Sequence, residues 1–191
     1  MSVEQKPWPV IRRETELDLL RRATRDDRSQ VRLLSYHGEP FDQALLLVVT
    51  PYLAYRNPLP ESLEGLVAAS RAPLRDEDVE VRENPLIAVE LPADFPDEAP
   101  AWHMLTPDVA NPGILHHQVC FSLGWRSSFT ILEVVTEQLI PLLRCQPGSW
   151  DARHPLNPSC ADWAPVQKTF ALPLGGSQPQ ARARPRIRRI G

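Results

Sequence analysis

Residues Asn111–Trp125, NPGILHHQVCFSLGW, gather the side chains of this chain best suited to chemistry: His116, His117 and Cys120. A thiol three and four residues from imidazoles admits two chemistries. As a thiolate it is a nucleophile or acyl acceptor served by a nearby base, and with further soft donors it is a metal ligand. Further donors are Cys145, His154 and Cys160, and the set shows no C-x-x-C or H-E-x-x-H spacing. Structural zinc sites are built from such pairs, so no metal and no cofactor are expected. A Cys–His hydrolase stays open, because the base need not be near in sequence, although no protease signature surrounds Cys120. Between Val119 and Phe121 the cysteine also reads as a small buried hydrophobe, and Cys145 and Cys160 read as packing residues.

Several elements must position that segment. Glu14–Thr24 has helical spacing of Leu17, Leu20 and Ala23. Val31–Tyr36 and Ala44–Leu53 predict strands joined by a turn at His37-Gly38-Glu39-Pro40, and Leu86–Leu91 and Trp102–Leu105 predict two more. Between them, Glu61–Ser70 suits one or two helical turns, and Val79–Arg82 alternates apolar with charged residues. The clearest helix is Ile131–Arg144. Thr130 and Glu133 form a T-x-x-E capping box, and Ile131, Val134, Val135, Leu139, Leu142 and Leu143 share one face. Pro141 removes a backbone donor, so a kink or a shortened last turn is expected there.

The chain has 191 residues, 42% of them hydrophobic, which is enough for one real core and excludes wholesale disorder. Its longest apolar run, Ala44–Val49, is strand-sized and far below a bilayer span. The start, MSVEQKPWPV, lacks a signal-peptide pattern, and three cysteines do not make a disulfide framework, so a reducing cytoplasmic location is expected. The net charge of −3 hides an asymmetry: Lys168, Arg182, Arg184, Arg186, Arg188 and Arg189 supply +6, leaving −9 on residues 1–167. Residues 1–170 are expected to form the folded domain, and 171–191 a basic, disordered tail. The tail reads first as a solvated extension, next as a contact to an acidic protein, and last as a phosphate binder.

The order of the motifs carries more than any one of them. Leu91-Pro92 leads to Phe95–Pro100, then Asn111-Pro112, Val119-Cys120-Phe121, Trp125, Thr130–Leu143, and His154-Pro155-Leu156-Asn157 with Ala161. Over residues 86–163 this resembles the ubiquitin-conjugating (E2) family. There a Y-P-x-x-P-P turn, an H-P-N loop, I-C-L, a Trp, a Thr-started helix and D-P-L-N-x-x-A follow one another. The resemblance implies an α+β, UBC-like fold: an N-terminal helix, an antiparallel meander of about four strands, an active-site loop, a core helix and reduced C-terminal helices. It implies that Cys120 takes a ubiquitin-like protein from an E1-like enzyme as a thioester and passes it to a target amine on a protein substrate. Asn111, His116, His117 and His154 would support that chemistry, with Asn111 as a donor to the oxyanion and His154 in the place of an acid.

Asn111 precedes its proline instead of following it, and stands nine residues before Cys120 instead of the usual eight. Pro165 and Pro173 interrupt the region of the family's closing helices. These departures are similar to the divergent bacterial E2-like proteins of ubiquitin-like conjugation operons, several of which act in antiphage defence. The same fold also serves as a catalytically silent, RWD-type module that binds a ubiquitin-like protein or an E1-like partner.

Overall fold

The structure is a computed structural model that describes residues 6–174; the arginine-rich part of the expected tail lies outside the described residues. Helix α1 (Trp8–Arg25) starts six residues earlier than the apolar spacing predicts. Pro7 caps it and Pro9 lies in the first turn, where a missing N–H leaves no helical bond unmade. Leu17, Leu20 and Ala23 form its buried stripe, joined by Arg13 and Glu16. Arg13 donates to the Phe41 and Pro92 carbonyls and pairs with the Asp42 carboxylate, tying α1 to two turns of the sheet.

Strands β1 (Val31–His37) and β2 (Gln43–Val48) form an antiparallel pair from Val31↔Val48 to His37↔Gln43. In β2, Ala44, Leu46 and Val48 are buried while the residues between them are half-buried, the period of a strand with one covered face. The single strand expected over Ala44–Leu53 is two elements. Pro51 has no N–H to offer the ladder, and the chain turns at Val49-Thr50 into a separate hairpin. That hairpin is β3 (Pro51–Tyr55) paired antiparallel with β4 (Val79–Glu83). Its connection holds α2 (Leu63–Ala69), capped by the Ser62 hydroxyl accepting from Gly65 N, and a 3-10 turn at Asp76–Asp78. Asn84 N donates to Thr50 O (3.0 Å) and closes the excursion, after which β5 (Leu86–Glu90) returns beside β2.

β6 (Ala101–Met104) pairs with β5, and two short strands, β7 (Ile114–Leu115) and β8 (Gln118–Val119), follow. The sheet order is β1-β2-β5-β6-β8-β7. Its first four members are the expected four-strand antiparallel meander, with the β3–β4 hairpin as an insertion between the second and third.

The core helix runs as α3 (Ile131–Val134), a π turn at Val135–Leu139, and α4 (Ile140–Leu143). Both halves of the Thr130–Glu133 capping box are made. The widened turn is the accommodation of Pro141. Ile140 N bonds Val135 O, five residues back, so the helix loosens just before the ring that would clash with a carbonyl one turn earlier. Among the described residues a single short helix, α5 (Pro158–Trp163), follows, so the C-terminal helices there are few.

Leu20, Val31, Leu46, Ile87, Met104, Ile131, Leu139 and Leu142 meet in the main core, each fully out of water. A second cluster joins Leu53, Tyr55 and Val79 of the hairpin to Cys160 and Trp163 of α5. Ala171–Leu174, placed in the tail by composition, are described, and Leu172 and Leu174 pack. Leu174 is buried in the second cluster, and its N–H donates to Arg144 O (3.0 Å). Among the described residues no helix is long and apolar enough to cross a membrane.

Candidate active site

The start of the cysteine segment is held by two backbone bonds. Ala110 N donates to Leu53 O (2.8 Å), binding the incoming loop to the β3 edge, and Asn157 N donates to Pro112 O (3.0 Å). The second bond joins the Asn-Pro loop to Pro155-Leu156-Asn157, so two segments paired in the motif order are also in contact. Asn157 is fully buried, its amide donating to the Tyr55 hydroxyl (2.8 Å) and its carbonyl oxygen accepting from Ser159 (3.1 Å). Gly113 lies where no side chain fits: a Cβ there would stand 2.8 Å from both Cys120 O and a Leu142 methyl. That close approach lets Gly113 O accept the Cys120 N–H at 2.8 Å.

Asn111 is buried at 1% exposure and faces the helix instead of the thiol. Its amide donates to Leu142 O (2.5 Å) and Cys145 Sγ (3.3 Å), and its carbonyl oxygen accepts from Gly113 N (2.9 Å). Both amide hydrogens are engaged in the core, so the oxyanion-donor role implied for this residue is not what its geometry supplies. It positions Gly113, and through Gly113 the backbone of Cys120.

β7 and β8 form a hairpin whose two-residue turn is His116-His117, with His116 in the left-handed region (φ 55°). The His117 carbonyl accepts Met104 N–H (2.9 Å), and its ring Nδ1 lies 2.6 Å from Met104 O. The two imidazoles stand with ring centres 3.7 Å apart. Cys120 follows β8 directly and is half-buried, its thiol making only a long contact of 3.9 Å to Phe121 O. Two clefts meet at it. One, about 230 Å³, is lined by Trp102, Phe121, Leu123, Trp125, Val134 and Gln138. The other, about 410 Å³, is lined by Trp102, His103, His117, Gln118 and Leu156. Trp125 anchors the first cleft: its indole N–H donates to Pro96 O (2.7 Å) and its ring packs on Phe95 (5.7 Å).

Cys145 and Cys160 differ from Cys120 in kind. Both are buried, and burial pushes each thiol up to about 12, so they stay protonated and unreactive. Tyr55 Oη lies 3.2 Å from Cys160 Sγ, and burial raises its phenol as well. His154 is exposed, its Nδ1 3.2 Å from an Asp151 carboxylate that the Arg153 N–H and then His154 hold below the ordinary carboxylate value. It lies two residues from Leu156 on the groove wall but outside the lining of both clefts. Among the described residues no three His, Cys, Asp or Glu side chains group as metal ligands do.

Sequence reasoning missed Gln138, His103 and Leu156. Gln138 Oε1 is buried in the first cleft with no hydrogen-bond partner. Its helical spacing from Val134 was the available signal, since i and i+4 share a face.

No family model matches the chain, and no curated protein matches it. Among solved structures it is similar to the ubiquitin conjugating enzyme E2 UbcA1 from Agrocybe aegerita, at 14% identity and a TM-score of 0.47, over 88% of this chain and 99% of that one. At that score and identity the likeness assigns neither activity nor site.

Proposed function

We propose that this chain is an E2-like conjugating enzyme of the UBC-like fold. It accepts a ubiquitin-like protein from an E1-like enzyme as a thioester on Cys120 and transfers it to an amine of a protein substrate. The observation that carries the reading is the placement of Cys120: of three cysteines it alone is partly open, between two clefts, behind a loop pinned to the core helix. The motif order along the chain supports it, as does the sequence of helix, four-strand meander, cysteine loop and helix. Acyl transfer from a thioester to an amine asks little of such a site. The sulfur is already a good leaving group, so positioning and proton removal are what remain. Asn111 contributes by positioning, and His116, His117 and His154 are the bases at hand. The natural setting is a bacterial, cytoplasmic conjugation pathway of the antiphage kind, acting away from membranes.

A silent module that binds a ubiquitin-like protein or E1-like partner is the second reading, favoured by one observation: Asn111 leaves the oxyanion without its amide. One reaction separates the two. The chain is mixed with an E1-like enzyme, its ubiquitin-like protein and ATP, and run on a non-reducing gel. A thiol-sensitive shift is expected that Cys120→Ala abolishes. A shift that persists in that variant, or none with the native chain, overturns the enzymatic reading.

A further inference from the structure

Resting on that reading, we infer that His117 is the proton acceptor for the incoming amine, and that the amine reaches Cys120 along the groove between His103, His117 and Leu156. The ring nitrogen roles follow from chemistry. A backbone carbonyl can only accept, so Nδ1, 2.6 Å from Met104 O, carries a hydrogen. In the neutral ring Nε2 is then the lone-pair nitrogen, and no protein partner among the described residues occupies it. Met104 also holds the main chain of His117, since the His117 carbonyl accepts the Met104 N–H. Binding the other nitrogen in this way is how proteins hold an imidazole in one tautomer and one direction.

The groove lined by His117 is also lined by Cys120, which places base and acyl sulfur on one open channel of about 410 Å³. The opposite cleft offers no titratable group besides Cys120. The two sides of the cysteine therefore differ in their bases, and the side that carries the imidazoles suits a primary amine on a flexible chain. The titratable groups facing His117 are His103 and Cys120 across the groove and His116 against its ring. In the transfer, the free-base amine nitrogen forms a bond to the thioester carbon. The resulting ammonium gives one proton to Nε2, the carbon–sulfur bond breaks, and the departing Cys120 thiolate takes that proton back from the imidazolium. An amide and a free thiol result, with no other reactant.

The test needs no partner enzyme. A peptide thioester ending in Gly-Gly acylates Cys120 by thiol exchange, free lysine is added, and loss of the acyl mass is followed by mass spectrometry. His117→Asn keeps an N–H for Met104 O and removes the acceptor; His117→Gln is the second variant, and either one that melts with the native chain serves. Loading is expected at the native rate and discharge about 100-fold slower, the low end of what a positioned base supplies. Added imidazole is expected to restore part of the discharge rate. Native-rate discharge in the variants overturns the assignment, and so does a slow variant that imidazole leaves slow, since that marks a purely structural role. If the peptide never loads Cys120, the acyl-acceptor reading falls and the assignment with it.

Discussion

Three cysteines in one chain differ in what surrounds their sulfur, and that difference predicts their reactivity. With the thiols of Cys145 and Cys160 raised from 9.0 to about 12, their thiolate fraction near neutral pH drops by about a thousandfold, before access is considered. Iodoacetamide at about pH 8 is therefore expected to place one adduct on the native protein, at Cys120, and three in concentrated urea. Peptide mapping checks this, and native labelling at Cys145 would contradict it. The same shifts have a stability consequence: what these thiols contribute is whole below pH 9 and is lost as pH climbs towards 12, because the unfolded thiols ionise first. Cys120 was legible in the sequence through the order of motifs around it. The direction of Asn111 was not, since its partners, Leu142 O and Cys145 Sγ, lie more than thirty residues away and set the rotamer.

The element that positions the site is the core helix, and its first turn is held from outside. Glu16, fully buried on α1, accepts the Ile131 N–H (2.9 Å) and pairs with Arg12 (2.8 Å), whose guanidinium also donates to Phe129 O. Together with the Thr130 hydroxyl on Glu133 N, this satisfies two of the open donors of that helix start. Burial raises the Glu16 carboxyl above 4.5 despite Ile131 and Arg12. In the window above 4.5 the folded chain thus holds a proton that the unfolded chain has released. The stability this group contributes is whole below 4.5 and falls as pH rises through the folded value. The unfolding free energy of the native chain minus that of Glu16→Gln is expected to decline over that rise, measured by urea denaturation at a series of pH values. A difference that stays flat with pH would refute the linkage. The capping box was readable locally, because its partners are three residues apart. The tie to α1 spans 115 residues and left no local trace, and Pro141 announced a disturbance without saying that a π turn would absorb it.

Among the described residues two packed clusters share the chain, and the second one takes in residues that composition assigns to the tail. Composition sets the boundary after residue 170, since Gly, Pro, Gln, Ser and Arg dominate beyond it. Packing carries the described core on to Leu174, because Leu172 and Leu174 close the cluster built by the β3–β4 hairpin and α5, and Leu174 N–H satisfies Arg144 O. Arg144 in turn donates through Nε to the buried Thr50 hydroxyl (2.8 Å) at the point where β2 gives way to β3. The last described residues are thereby linked to the hairpin that braces the cysteine loop through Leu53 and Ala110. A composition count cannot see two leucines finding a pocket made by residues a hundred positions earlier. Burying a leucine is worth about 1.5–3 kcal/mol, and 1 kcal/mol moves the melting temperature of a domain this size by about 2–4 °C. A chain cut after Phe170 is therefore expected to melt about 4–8 °C below one cut after Leu174, as read by circular dichroism. It is also expected to load Cys120 more slowly, because the hairpin behind the loop loses its backing. Equal melting temperatures would return the boundary to residue 170.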